Sequence, residues 1–337
     1  VLMETGLMRK CAFLGVVTLV CLVSSGCLFG GEMPPSIEEG GVSIVNYDSA
    51  GSEITEVFAH PPERVVAIWQ NDVETIIALG AGDTLVAAVG VPYVECLLPE
   101  YREAYEKILL RQMVMPSVEE ILMLKPDLII GWYSTFSDRV TKSTAFWHER
   151  GICTYMPASS MGRKGGNTIE GECAYVRDLG CVFNREERAE ELVQQMQAEI
   201  RYVQENTRGK ERPRTLIIER MGNQFMNYGE DTLAADILRH VNGEPLSYER
   251  YIGFEQVVDA NPEVVFLIVS EDRYREAETI KAEFMDDPAF QDIQAVQNNR
   301  VYVLPLYMVY ASATRTYDGI HAMAHGLHPE LYEEVGK

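Results

Sequence analysis

The side chains that could do chemistry here are aromatics and amides standing just after short apolar runs. Val65 to Ile68 leads into Trp69, Gln70 and Asn71, Leu85 to Val89 is followed by Tyr93, and Asp127 to Ile130 leads to Trp132 and Tyr133. In the second half, Arg214 to Glu219 is followed by Met221, Asn223, Gln224 and Phe225. Tyr251 precedes a short helical segment, Tyr307 and Tyr310 follow the run Arg300 to Leu304, and Arg315 closes the set. If the apolar runs are strands of open α/β sheets, these residues lie beyond the carboxyl ends, where ligands bind. Aromatic faces and soft Met side chains suit a flat, largely apolar small molecule held by a few polar anchors.

That is binding chemistry, with no catalytic residue among it. The chain has no GxSxG elbow, no HExxH helix, no CxxC pair and no GxxxxGK[ST] phosphate loop. The loop Met161 to Asn167 (MGRKGGN) reads as a solvated turn, with Arg163 and Lys164 holding an anion as the alternative. His321, His325 and His328 fall at helical spacing, and the first two could share a face and a metal. A packed or solvated face is the preferred reading, so no metal site is assigned.

The elements that must position these residues alternate in type. Strands are expected at Val65–Ile68, Leu85–Val89, Asp127–Ile130 and Ile152–Tyr155, with helices from Asn71 to Gly80, around Glu100–Leu110, at Ser117–Lys125 and near Arg139–Arg150. Short buried strands alternating with helices imply a parallel, doubly wound sheet. A hairpin or edge strand, Val42 to Val57 with a turn near Ala50-Gly51, precedes it. The plan then repeats. Glu119 lies seven residues before Pro126 and a buried strand, and Glu255 lies seven before Pro262 and another. Between the halves, Asn184 to Arg208 reads as one long helix. Asn184 with Glu187 resembles a capping box. Ala189, Leu192, Val193, Met196, Ile200 and Val203 make one narrow apolar stripe, and Gly209 stands where a helix stops. The expected divisions are 42–183, 184–208 and 209–337, the middle one a connector.

Residues 1–27 read as a targeting segment. Arg9 and Lys10 precede the 13-residue apolar run Cys11 to Val23, too short for a mature membrane span, and Ser24, Ser25 and Gly26 precede Cys27. Residues 28–41 (LFGGEMPPSIEEGG) read as a flexible tether. The net charge of −22 argues against nucleic acid as a partner. Cys96, Cys153, Cys173 and Cys181 remain after that segment, as buried thiols or as disulfides whose pairing the spacing does not reveal.

The marks PPERVVAIWQNDVETIIALGAGDTLVAAVG, VEEILMLKPDLIIGW, DTLAADILRHVNG, FEQVVDANPEVVFL, AVQNNRVYVLPL and GLHPELY, in this order from Pro61 onward, resemble the substrate-binding proteins of ABC importers for iron complexes, heme and cobalamin. The resemblance implies two α/β lobes with doubly wound parallel sheets, joined by one rigid helix, with the ligand in the cleft between them. It implies an extracytoplasmic protein that works as a monomer, without a cofactor of its own. Its ligand is a small-molecule complex that carries iron or cobalt, a ferric siderophore or heme before cobalamin. Its partners are a permease dimer with ATPase subunits. Relatives contact that permease through one acid on each lobe, and the matching positions are Glu119 and Glu255. Cys27 resembles a lipidated cysteine that anchors the chain to the membrane. A secreted enzyme or a sensor lipoprotein on the same scaffold is the competing reading.

Overall fold

The computed structural model describes residues 41–162 and 167–332. The targeting segment, Cys27, nearly all of the tether, Arg163 and Lys164 lie outside them. The chain opens with an antiparallel hairpin, β1 (Val42–Tyr47) with β2 (Glu53–Phe58). Its turn is closed by Asp48, whose Oδ1 accepts the N–H groups of Ala50 and Ser52 at 2.9 and 2.8 Å.

The first main sheet comprises β3 (Val65–Ile68), β4 (Leu85–Val89), β5 (Leu110–Gln112), β6 (Leu128–Ile130) and β7 (Cys153–Tyr155) in the spatial order β5-β4-β3-β6-β7. Every pairing in it is parallel. The strand order reverses at β3, as doubly wound sheets require, and β3 (VVAI) and β6 (LII) are fully buried because helices cover both faces. The helices of this lobe are α1 (Gln70–Ala78), α2 (Pro99–Glu106), α3 (Val118–Met123), α4 (Thr144–His148) and α5 (Ile169–Val182). Ser117, Ser143 and Thr168 cap α3, α4 and α5 with side-chain oxygens, each cap stabilising by about 1 kcal/mol. The helix expected around Glu100–Leu110 stops at Glu106, and β5 occupies the end of that stretch. Three residues of an edge strand are too few to display a period.

The second sheet comprises β8 (Arg214–Met221), β9 (Gln224–Asn227), β10 (Glu244–Pro245), β11 (Tyr251–Ile252), β12 (Val264–Val269) and β13 (Val301–Pro305). Its parallel part, β8-β12-β13 with β10 beside β8, is the expected plan. It differs at the other edge, where β9 runs antiparallel to β8 and β11 antiparallel to β9. Gly222 at φ +65° makes the tight turn that sends β8 straight back into β9. Around this sheet lie α7 (Leu233–His240), α8 (Phe254–Ala260), α9 (Ala277–Asp286), α10 (Gln294–Gln297) and α11 (Thr316–Leu327).

Between the two sheets runs α6 (Glu186–Asn206), 21 residues and thus about 32 Å long. All six residues of its expected stripe are buried. Its start differs from the capping-box reading. Asn184 has φ +53°, and the N–H groups of Asn184 and Arg185 bond back to the carbonyls of Cys181 and Gly180 at 3.2 and 2.7 Å. Asn184 therefore terminates α5 in the left-handed conformation that Asn tolerates. The stripe of α6 belongs to one apolar cluster holding Ile76 and Leu179 from the first lobe and Ile237, Ile320 and Met323 from the second. Each lobe adds a cluster of its own on the outer face of its sheet. The lobes thus share a core at the back, of which α6 is one member. Cys96, Cys153, Cys173 and Cys181 are free thiols.

Candidate functional site

The carboxyl ends of both sheets open into one cavity of about 240 Å³. Four strands of the first lobe feed it: Trp69, Gln70 and Asn71 follow β3, Gly90 follows β4, Met113 follows β5 and Trp132 lies just past β6. The second lobe adds Glu271 and Asp272 after β12, and Leu306, Tyr307 and Tyr310 after β13. A larger hollow of about 600 Å³ runs along α5, α6 and α7, but no Trp, Tyr or Phe lines it and no strand ends there. The strand-end cavity is therefore the candidate site.

Its centre is an aromatic trio. The rings of Trp69 and Trp132 stack at 5.0 Å, and Tyr310 meets Trp132 edge-on at 5.5 Å. Trp69 has φ 91° and ψ 147°, a backbone region that is nearly reserved for glycine and costs about 1–3 kcal/mol. Its amide donates to the Val89 carbonyl at 2.8 Å, so it is tied to the neighbouring strand at that angle. Gly90 makes the arrangement sterically feasible, since a Cβ there would lie 2.9 Å from Cε3 of the Trp69 ring. Asn71 orients the second indole by accepting from Nε1 of Trp132 at 3.2 Å, while its own amide donates to Asp72. Strain at the strand end thus presents an indole face to the cavity.

Two buried polar atoms at this wall have no protein partner, Nε1 of Trp69 and Oε1 of Gln70. The Gln70 amide orientation is fixed by its other end, because Nε2 donates to Glu74 at 2.9 Å and to the Cys96 carbonyl at 3.1 Å, both pure acceptors. Glu271 is half-buried and its carboxyl is raised, first by burial and further by Asp272 and Glu219 nearby.

Below the cavity lies a buried polar seam between the lobes. Nη1 of Arg315 donates to both oxygens of Glu74 at 2.9 Å and to the Cys96 carbonyl at 3.0 Å, and Nε donates to Asp318. Glu74 and Arg315 are 0% and 3% exposed. Glu172 accepts the Ala313 N–H at 2.6 Å, Tyr175 donates to Asp72, and Thr75 meets Thr314 at 3.3 Å. Burial raises the Asp72 and Glu74 carboxyls, the hydroxyl of Tyr175 and the charge of Arg315 respectively opposing it, and lifts Glu172 from 4.5 to about 7. Burial works against the charge of Arg315, but Glu74 and Asp318 hold it above its ordinary range.

Of the residues expected at the ligand, the cavity gathers Trp69, Gln70, Asn71, Trp132, Tyr307 and Tyr310. Tyr93 stands at its rim, where its hydroxyl donates to the Asp272 carbonyl at 3.2 Å and Arg275 lies 4.0 Å above its ring. Arg275 also pairs with Glu95 at 3.1 Å, a second but exposed bridge between lobes. Arg315 sits 4.6 Å over the Tyr307 ring, but its guanidinium is committed to the seam. Tyr133 packs into the first lobe's outer cluster. Met221 (45% exposed), Asn223, Gln224 and Phe225 belong to the β8–β9 hairpin, and Tyr251 (43% exposed) to the edge strand β11, so none of them lines the cavity. The antiparallel return of β9 takes the place of the strand-end loop expected there. Gly90, Met113, Leu306, Glu271 and Asp272 were not expected. Met113 was hidden with β5. For the two acids, the position directly after an apolar strand is the usable signal.

On the outer surface, Glu119 and Glu255 each occupy the second position of a short helix, α3 and α8, and both are exposed. Their neighbours do the capping: Glu120 accepts the Ser117 N–H and Gln256 the Gly253 N–H, each at 2.8 Å. Among the described residues, neither Glu119 nor Glu255 forms an ion pair. His321 bonds to Glu199 at 2.9 Å, and His328 donates to the Val241 carbonyl at 3.0 Å.

A ligand cleft between two sheets at the carboxyl ends of their strands, with a shared helical core behind it, defines a two-lobed solute-binding protein. Residues 65–307 match the family model for periplasmic binding proteins. The chain belongs to that family, and is a substrate-binding protein of ABC import. It is similar to a periplasmic binding protein of Veillonella parvula, whose crystal structure superposes with a TM-score of 0.84 at 40% identity, over 90% of this chain and 97% of that one. It is 22% identical to an uncharacterized ABC transporter substrate-binding lipoprotein of Bacillus subtilis, over 85% of this chain and 86% of the relative. It is 23% identical to the ferric-anguibactin-binding protein of Vibrio anguillarum, over 77% of this chain and 80% of the relative.

Proposed function

We propose that this chain is an extracytoplasmic receptor that captures an iron complex, a ferric siderophore or heme, and delivers it to an ABC permease. The observation that carries this reading is the Trp69–Trp132–Tyr310 trio, presented by strained backbone where strand ends of both lobes meet. Such a wall binds the flat face of a chelate or macrocycle through apolar and stacking contact. The ferric-anguibactin-binding relative supports an iron chelate as cargo. A corrinoid is the second reading, favoured by one observation: among the described residues no Lys, Arg or His lines the cavity. Cys27 would carry the lipid anchor.

Titration with hemin, ferric siderophores and cobalamin, followed by Trp fluorescence and visible absorbance, tests the reading. One of them should bind at micromolar concentration or tighter, a free energy of about −8 kcal/mol. Binding of none overturns it. Glu119 and Glu255 are proposed as the permease contacts, one per lobe, each without an ion pair among the described residues. Reversal of both to Lys should abolish uptake while the affinity for ligand stays intact. Uptake at the parental rate removes that assignment.

A further inference from the structure

The charges around the cavity all have one sign. Glu271 and Asp272 line it, Glu219 lies near enough to raise Glu271 further, and among the described residues no cationic side chain lines it. Three guanidinium groups nearby are spent on other carboxylates: Arg273 on Glu276, Arg275 on Glu95, and Arg315 on Glu74 and Asp318. Among the described lining residues, an anionic chelate meets two carboxylates and no cation. It would also approach a chain of net charge −22, which slows the encounter of like-charged partners.

The remaining groups point the same way. Oε1 of Gln70, on a side chain 3% exposed, is an acceptor without a donor at the cavity wall. Its amide cannot be turned over, because the Nε2 end already serves two acceptors. The faces of Trp69, Trp132 and Tyr310 attract cations through their ring quadrupoles. Carboxylates, a lone carbonyl acceptor and aromatic faces are together the complement of an ammonium group.

We propose that the cleft is charge-selective, taking a neutral or monocationic metal chelate whose ammonium-type arm is received by Glu271, Asp272 and Gln70, and turning away polyanionic chelates. This rests on the metal-complex reading above and narrows it. Tris-hydroxamate ferric complexes, in which three monoanionic ligands neutralise the metal, fit this cleft. Ferric tris-catecholates, which keep three negative charges, do not, and neither does a macrocycle bearing two free carboxylates.

The test uses the full chain and three probes: ferrioxamine B, with its free ammonium arm; the same complex N-acetylated on that arm; and a trianionic ferric tris-catecholate. Fluorescence titration should rank them in that order, with the ammonium worth about tenfold over its acetylated form, as expected of one charge-assisted hydrogen bond. The E271Q/D272N variant, with folding verified by thermal melting, should bring the first two probes together and leave the acetylated one unchanged. Equal binding of the ammonium and acetylated forms by the parent chain, or tightest binding of the tris-catecholate, overturns charge selection while leaving the receptor intact. Failure of every metal chelate, cobalamin included, overturns the receptor reading and charge selection with it.

Discussion

The wall of the cleft and its floor meet along the first turns of α1, yet their charged groups are treated differently. At the wall, Trp69 has a strained backbone, its indole N–H has no partner, and Gln70 keeps a free acceptor. At the floor, four residues further along α1 from Gln70, Glu74 is matched by Arg315, whose Nη1 donates to both of its oxygens, and Glu172 holds the Ala313 amide. The floor also carries strain and unpaired atoms, with Ala311 and Ala313 at φ +44° and +46° and Oε1 of Glu172 without a partner, so what sets it apart is the paired buried charge of Glu74 and Arg315, which fixes one arrangement of two lobes. The difference explains why Arg315, grouped with the cleft residues in the sequence, is committed to the seam.

The strongest way to break the contrast is at the floor. Replacing Arg315 by Met leaves Glu74 uncompensated and should cost about 3–5 kcal/mol in urea unfolding, whereas the double change E74Q/R315M should recover most of that loss. Equal destabilisation by the single and double changes would show that the pair is not the seam's organising contact.

The seam also gives a pH dependence of definite sign. The Glu172 carboxyl is raised by burial from 4.5 to about 7. Between those values the folded chain holds a proton that the unfolded chain has lost, so stability is full below about pH 4.5 and falls as pH rises through 7. The expected loss from this group is about 3 kcal/mol, with Asp72 and Glu74 acting in the same direction. Unfolding curves measured from pH 5 to 8 should show it, and Glu172→Gln should flatten the slope. Stability rising with pH across that interval, with the parental slope kept by the variant, contradicts the assignment.

At the wall the effects are smaller and fall on affinity. Gly90→Ala places a methyl against the Trp69 ring and should weaken ligand binding about tenfold, and Trp132→Ala should cost a further stacking contact of about 0.5–1.5 kcal/mol. Met221→Ala and Tyr251→Ala, both outside the cavity, should leave affinity unchanged in the same titration. An equal loss from these two changes would extend the site to that edge of the sheet.

Much of this organisation was legible in the residues. VVAI, LII and VVFLIV had to be buried strands, and the stripe on α6 had to be a packed face. The rule that ligands sit beyond strand ends found both tryptophans. It found Tyr307 and Tyr310 after β13 but failed after β8, because whether β8 ends in a cleft loop or returns as a hairpin depends on one Gly at φ +65°. It also could not separate Arg315 from the ligand. The carboxylate that neutralises it is 241 residues away, and only the fold brings the two together.

The claim that floor and wall divide rigidity from recognition predicts little motion on binding. A folded chain of this size has a radius of gyration of about 20 Å. Small-angle X-ray scattering with and without a saturating metal chelate tests this most directly. The shared core and the Glu74–Arg315 seam predict a change below about 0.5 Å, and a contraction of about 1 Å or more would show that the lobes close by a hinge and that the seam does not hold them.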